Sequence, residues 1–245
     1  MANRDHLAAV LQELRDLEVR ELFLDGLSAR EAVALASGAR ITATAGGTAV
    51  LAGPKGASGA GTSGLATLAA EAAGCQKCRL SAGRTQVVFG RGSAEARLVV
   101  VGEAPGGEED RTGQPFVGPA GKLLDLLLLS VGFDREAVYI CNVLKCRPPN
   151  NRDPRPDEVA SCTAYLHGQL EAIAPRALLA VGKFSAQTLA GSGASIGRLR
   201  GQVHSYRGIP VVATYHPAYL LRSPQATRKT WQDLQLLRQV LDESS

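Results

Sequence analysis

The side chains with chemistry to offer are five cysteines, a few carboxylates beside glycines, an asparagine closing an apolar run and a histidine followed by proline. Cys75-Gln-Lys-Cys78 is a pair whose spacing lets one turn of chain send two thiolates to a common centre. Cys146 and Cys162 lie far downstream with a helix start between them, and they can supply two further ligands from loop and helix. Four thiolates make a closed structural site. Zinc and a cubane iron–sulfur cluster both accept that set, and spacing alone does not choose between them. Buried cysteines without a ligand are the competing reading, and the second, separated pair flanking Arg147-Pro148-Pro149 weighs against it. Cys141 sits inside an apolar strand pattern and reads as core.

A second group lies in Gly102-Glu-Ala-Pro-Gly-Gly-Glu-Glu-Asp110 and Thr112-Gly-Gln-Pro-Phe-Val-Gly-Pro-Ala-Gly121. Glycines there allow a ligand close to the backbone, Glu103 and Glu109 offer water activation or cation stabilisation, and Phe116 offers a flat apolar face. Asn142 adds an amide and His216 an imidazole. Taken singly, each has an ordinary reading as a turn amide, a satisfied histidine or an acidic surface turn. Their convergence is what argues for a site.

The elements that must position them follow from periodicity. Leu7, Val10, Leu11, Leu14 and Leu17 recur at helical spacing, and Ser28 with Glu31 forms a capping-box start, so residues 1–44 read as a helical N-terminal extension. The glycine-rich run from Ala52 to Gly64 has little to bury, so residues 45–64 read as a flexible linker and residues 65–245 as the main domain. In that domain, strands are expected at 97–102, 137–142, 177–182 and 209–214, and helices at 121–129, 157–173, 185–190 and 227–242. Alternating strand and helix predicts a parallel sheet covered on both faces, with ligands at the carboxyl ends of its strands. Glu103, Asn142 and His216 all follow strand ends.

Of 245 residues, 45% are apolar and 20% charged, enough for one well-buried α/β core. No signal-peptide core and no membrane-length apolar run stand in the sequence, so a cytoplasmic protein without membrane contact is expected. Residues 75–245 carry 21 basic against 15 acidic side chains, an excess that suits a polyanion partner as well as a solvated surface. Gly182-Lys183 is no phosphate-binding P-loop, since Ala177 and Phe184 stand where Gly and Ser/Thr are required.

The GEAPGGEED and GQPFVGPAG segments, the four cysteines, Asn142-Val-Leu-Lys-Cys-Arg-Pro-Pro149 and His216-Pro-Ala-Tyr-Leu-Leu together resemble the family 4 uracil-DNA glycosylases over roughly residues 72–241. The resemblance implies a three-layer α/β/α fold with a four-stranded parallel sheet and a [4Fe–4S] cluster of structural role on Cys75, Cys78, Cys146 and Cys162. It implies excision of uracil from single- or double-stranded DNA, carried out by a monomer. Phe116 would stack on the flipped base, and Asn142 would read its edge beside the backbone of Gly102 and Ala104. His216 would stabilise the departing uracil anion, and Glu103, with Glu109 completing the pocket, would orient water or stabilise the sugar cation. Leu220 and Leu221 would wedge into the vacated stack, with Arg222 and Arg147 on DNA. Ala104 and Gly106 stand where family 1 enzymes carry a water-activating aspartate and a thymine-blocking tyrosine, so base recognition is better supported than water activation. A non-catalytic iron–sulfur DNA-binding module and an electron-transfer protein are the alternatives. Glu103, Phe116, Asn142 and His216 argue against the first, and a reversible redox couple would be needed for the second.

Overall fold

The computed structural model describes residues 59–243. The two helices expected within residues 1–44 therefore lie outside the described residues. Helix α1, Gly59–Ala73, begins inside the segment expected to be a linker. Tertiary packing accounts for a helix in so glycine-rich a stretch. Leu65 and Ala72 are buried, and Leu68 lies directly over Gly168 of helix α4, Pro156–Ile173.

Four short strands, buried throughout except for two half-buried residues at the start of the last, β2 (Leu98–Gly102), β3 (Tyr139–Asn142), β4 (Ala177–Val181) and β6 (Ile209–Thr214), run parallel. The expected four-stranded parallel sheet is the centre of a larger mixed one. Two edge strands, β1 (Arg91–Gly92) and β5 (Val203–Tyr206), pair antiparallel to β3 and β6 and complete the order β1-β3-β2-β4-β6-β5. Both lack an apolar run. The first is two exposed residues long, and the second alternates exposed with half-buried positions, as edge strands do.

Alternation along the central strands divides the core. Leu98, Val100, Ile140, Leu179 and Val212 face the leucine-rich helix α3 (Pro119–Ser130) and the long helix α8 (Thr227–Glu243). Val99, Val101, Cys141, Leu178, Val211 and Ala213 face the other layer, with α4, α5 (Lys183–Ala190) and α6 (Ile196–Leu199). Three layers result. Helices α2 (Gly107–Thr112) and α7 (Pro217–Arg222) start just beyond strands β2 and β6. No helix among the described residues is long and apolar enough to cross a membrane.

Candidate active site

Strand β2 has β3 on one side and β4 on the other, so the chain reverses direction across the sheet at β2. Crevices at the carboxyl ends of strands form at such a point. A cavity of about 720 Å³ opens there, lined by Glu103, Ala104, Glu109, Phe116, Asn142 and His216 among others. Every side chain expected to catalyse or to bind the base is thus on one wall or another of a single cavity.

Asn142 closes β3 opposite Gly102, is 2% exposed, and has an Oδ1 with no hydrogen-bond partner. An amide oxygen buried in that way costs free energy until a donor reaches it. Gly102 makes room for it. A Cβ at that position would collide with Asn142 Oδ1 and come within 2.7 Å of the Phe116 ring, so only glycine lets amide and ring share the strand end. Phe116 itself has a left-handed backbone (φ 53°), uncommon for an aromatic residue and worth roughly 1–3 kcal/mol of strain. Its neighbour Val117 donates its N–H to Glu109 Oε1 at 3.2 Å. Glu109 thereby holds the turn that presents the ring, a positioning contact that sequence reasoning did not anticipate.

His216 caps helix α7. Its Nδ1 accepts the Ala218 N–H at 3.1 Å, which puts the ring proton on Nε2. Burial, with the charge of Arg222 adding, pushes its pKa down to about 4, so the ring is neutral at physiological pH. It stacks against Phe116 with centroids 5.6 Å apart and 27° between planes. Gly182, at φ +99°, lets strand β4 end directly under the histidine, where a Cβ would stand 3.2 Å from its ring. Burial also pushes the Glu103 carboxyl up to about 7. Repulsion from Asp153 adds to that shift and Lys183 opposes it.

Of the residues expected to touch DNA, one is buried in the core. Leu220 is 2% exposed and belongs to the core beneath α7, so it is not a wedge; Leu221 is half-buried against the same core. The helix turns Tyr219 outward instead, 40% exposed on the cavity rim. Arg222 is exposed and lines the cavity, while Arg147 donates to Asn151 Oδ1 at 2.8 Å and lies over Gly107. Arg152 is committed elsewhere, its guanidinium gripping the fully buried carboxylate of Glu158 at the start of α4. Lys183, Phe184 and Tyr215 also line the cavity and were missed. The first two follow strand β4, so the strand-end rule that selected Asn142 and His216 would have found them.

Cys75, Cys78, Cys146 and Cys162 line one small cavity behind this site, together with Arg84, Lys145 and Tyr165. Cys141 is apart from it, fully buried in the sheet core. The Arg84 guanidinium donates to Cys146 Sγ at 3.5 Å and the Lys145 N–H to Cys162 Sγ at 3.3 Å, contacts that suit thiolate sulfur. Leu80, Leu144, Val87 and Val159 wrap the site in apolar groups. Burial pushes the Cys146 thiol up to about 11 and Cys162 upward as well, so thiolates here need a cation to balance them. As placed, no three His, Cys, Asp or Glu side chains among the described residues stand ready to hold a metal ion. The fit therefore rests on the shared cavity and the donors to sulfur.

The sequence model of the uracil DNA glycosylase superfamily matches residues 89–235. The chain is 49% identical over 159 residues to the type-4 uracil-DNA glycosylase of Archaeoglobus fulgidus, covering 62% of this chain and 80% of that one. It is 49% identical over 151 residues to that of Thermotoga maritima, covering 61% and 79%, and 40% identical over 186 residues to that of Saccharolobus solfataricus, covering 72% and 86%. The matched residues include the carboxyl ends of all four parallel strands and the cavity between them, and on that ground the chain belongs to the uracil-DNA glycosylase superfamily, with type-4 enzymes among its relatives.

Proposed function

We infer that the protein hydrolyses the N-glycosidic bond of deoxyuridine in DNA, releasing uracil and leaving an abasic site for base excision repair. The observation that carries this reading is the buried, unpartnered Oδ1 of Asn142 against the Phe116 ring. A base rotated out of its stack lies on the ring and meets the amide edge-on. Uracil offers N3–H to the amide oxygen and accepts the amide N–H at O4. Cytosine reverses both, leaving two buried polar groups unpaired.

Hydrolysis breaks the bond between C1′ and N1. Both electrons leave with uracil, a water oxygen bonds to C1′, and the water's proton is released. Neutral His216, with its proton on Nε2, donates to uracil O2 as negative charge gathers there. Glu103 in its anionic form orients the water and stabilises the cation-like sugar. At the rim, Tyr219 fills the vacated stack, with Leu221 behind it, and Arg222 and Arg147 lie along the phosphates. Single- and double-stranded DNA are both substrates, and the enzyme works as a cytoplasmic monomer. Cys75, Cys78, Cys146 and Cys162 hold a [4Fe–4S] cluster, which when bound cross-links three distant parts of the chain and takes no part in the hydrolysis. The donors to sulfur and the type-4 relatives support that assignment.

Oligonucleotides carrying one uracil, incubated with the protein and treated with alkali, test the reading. Breakage at uracil is expected. His216→Ala should lower the rate by about 10²–10³-fold, as loss of one oxyanion donor does, and Asn142→Ala by about 10²-fold. No breakage by iron-replete protein that still binds the DNA would overturn it.

A further inference from the structure

Lys145 is 2% exposed, among the largest fully buried side chains of the described protein. No carboxylate among the described residues pairs with it. Its ammonium donates to the main-chain carbonyl of Asn142 at 2.7 Å and to Gln169 Oε1, and lies 5.9 Å from the centre of the Phe89 ring. Gln169, itself fully buried, passes the connection on to the Phe89 carbonyl at 2.8 Å and the Tyr139 hydroxyl at 3.1 Å. A buried cation is expensive, and an apolar chain of the same length would fill the space at less cost. Lys145 also lines the cysteine cavity, where its charge balances thiolate, but its side-chain hydrogen bonds to Asn142 and Gln169 point to a second task.

Beyond the last ladder pair, the chain stays tied to β2 through Val143 N–H to the Gly102 carbonyl and Leu144 N–H to the Glu103 carbonyl, both at 3.0 Å. On the opposite side β1 reaches only Tyr139 and Ile140, so no strand among the described residues holds the Asn142 carbonyl. The Lys145 ammonium takes the place of the missing strand N–H. The same residue is held from behind, by its N–H on Cys162 Sγ and by its carbonyl accepting the Val88 N–H at 2.8 Å.

We propose that Lys145 is a positioning residue for base recognition, its ammonium fixing the Asn142 peptide so that the side-chain amide meets the base edge in register, and tying that register to the cysteine-lined segment. The proposal rests on the uracil-excision reading. An amide that must match two base atoms tolerates about half an ångström of error, and rotation of its own peptide plane produces more than that.

The test is a double-mutant cycle of Lys145→Met and Asn142→Ala on cluster-loaded protein, with wild type run alongside. Lys145→Met should keep its visible cluster absorbance and its melting temperature. It should lower kcat/KM on uracil DNA by about 10–100-fold, the effect of losing a charged hydrogen bond, and weaken binding of free uracil. In the Asn142→Ala background, the same change should cost nothing further. Undiminished kcat/KM in Lys145→Met, or losses that add in the double variant, would overturn the proposal. So would a loss of activity matched by loss of cluster absorbance, which marks a purely structural role. Should Lys145→Met not accumulate, Lys145→Gln carries the same cycle with the same overturning outcomes. Wild type that leaves uracil in place fails the parent reading instead.

Discussion

In the proposed hydrolysis a carboxylate beside the departing pyrimidine must be charged to help, and burial works against that charge at Glu103. Its pKa of about 7 lies well above the 4.5 of the unfolded chain, while His216, at about 4, stays neutral above pH 5. Between pH 5 and 9, an acid limb in kcat/KM centred near 7 should therefore belong to Glu103 alone. Glu103→Gln should be slower and should lose that limb; a limb that persists in the variant would assign it to another group. Stability should move the other way. From pH 4.5 to 7 the folded protein holds a proton that the unfolded chain has lost, so stability falls as pH rises, and the whole penalty is present above 7. Glu103→Gln should accordingly be more stable than wild type at pH 8, by on the order of 1 kcal/mol, with no gain at pH 4.5, as thermal melts at the two values would show. Neither effect is legible in the sequence. A glutamate after a strand-end glycine announces a site, but its protonation depends first on how deeply the fold buries it and then on Asp153 and Lys183 being brought in beside it.

Helix α7 shows what an element adds to its residues. In His216-Pro-Ala-Tyr-Leu-Leu-Arg222 the two leucines look like the wedge, because apolar residues after a catalytic histidine suggest insertion into DNA. Helical phase decides otherwise. Pro217 and Leu220, three apart, share the face that packs on the core, and Tyr219 is turned away from it. Leu220→Ala should cost about 2–5 kcal/mol of stability by denaturant unfolding, with excision per folded molecule little changed. Tyr219→Ala should leave stability alone and slow excision from double-stranded DNA roughly ten-fold more than from single strands, because only the duplex has a stack to refill. Equal losses on both substrates would remove the wedge role. The same gap between pattern and packing explains the edge strands. Buried apolar runs announced β2, β3, β4 and β6, whereas β5 is polar, half-exposed and betrayed only by the Arg207-Gly208 turn, both residues at positive φ, that joins it to β6. Helix α1 was hidden for the opposite reason, since its glycines read as linker while its stability comes from contact with α4.

Across the whole molecule, two centres share one segment of chain. Residues 142–162 begin with the amide proposed to read the base, pass through Lys145 and Cys146, form a wall of the cavity with Pro148, Asn151 and Arg152, and end at Cys162. Strand-end logic on the sequence found the amide, and cysteine spacing found the two thiols. Their mechanical union was illegible, because it runs through a buried lysine and the Arg152–Glu158 pair, neither of which has a pattern to announce it. In the folded protein, Cys75 and Cys78 at the end of α1 meet this segment at the cysteine-lined cavity. The proposed cluster there would close a long loop and restrain the segment against the entropy of opening. Removing iron with a chelator should therefore lower the melting temperature and act locally as well. Amide hydrogen exchange should quicken across residues 143–155 and at the end of α1, while β4 and β6, paired on both sides and fully buried through their carboxyl-terminal halves, should keep their protection. Excision should fall with the protection of residues 143–155. Uniform quickening across the sheet would instead make the cluster a global brace, and unchanged exchange near Asn142 would separate the cysteine site from base recognition altogether.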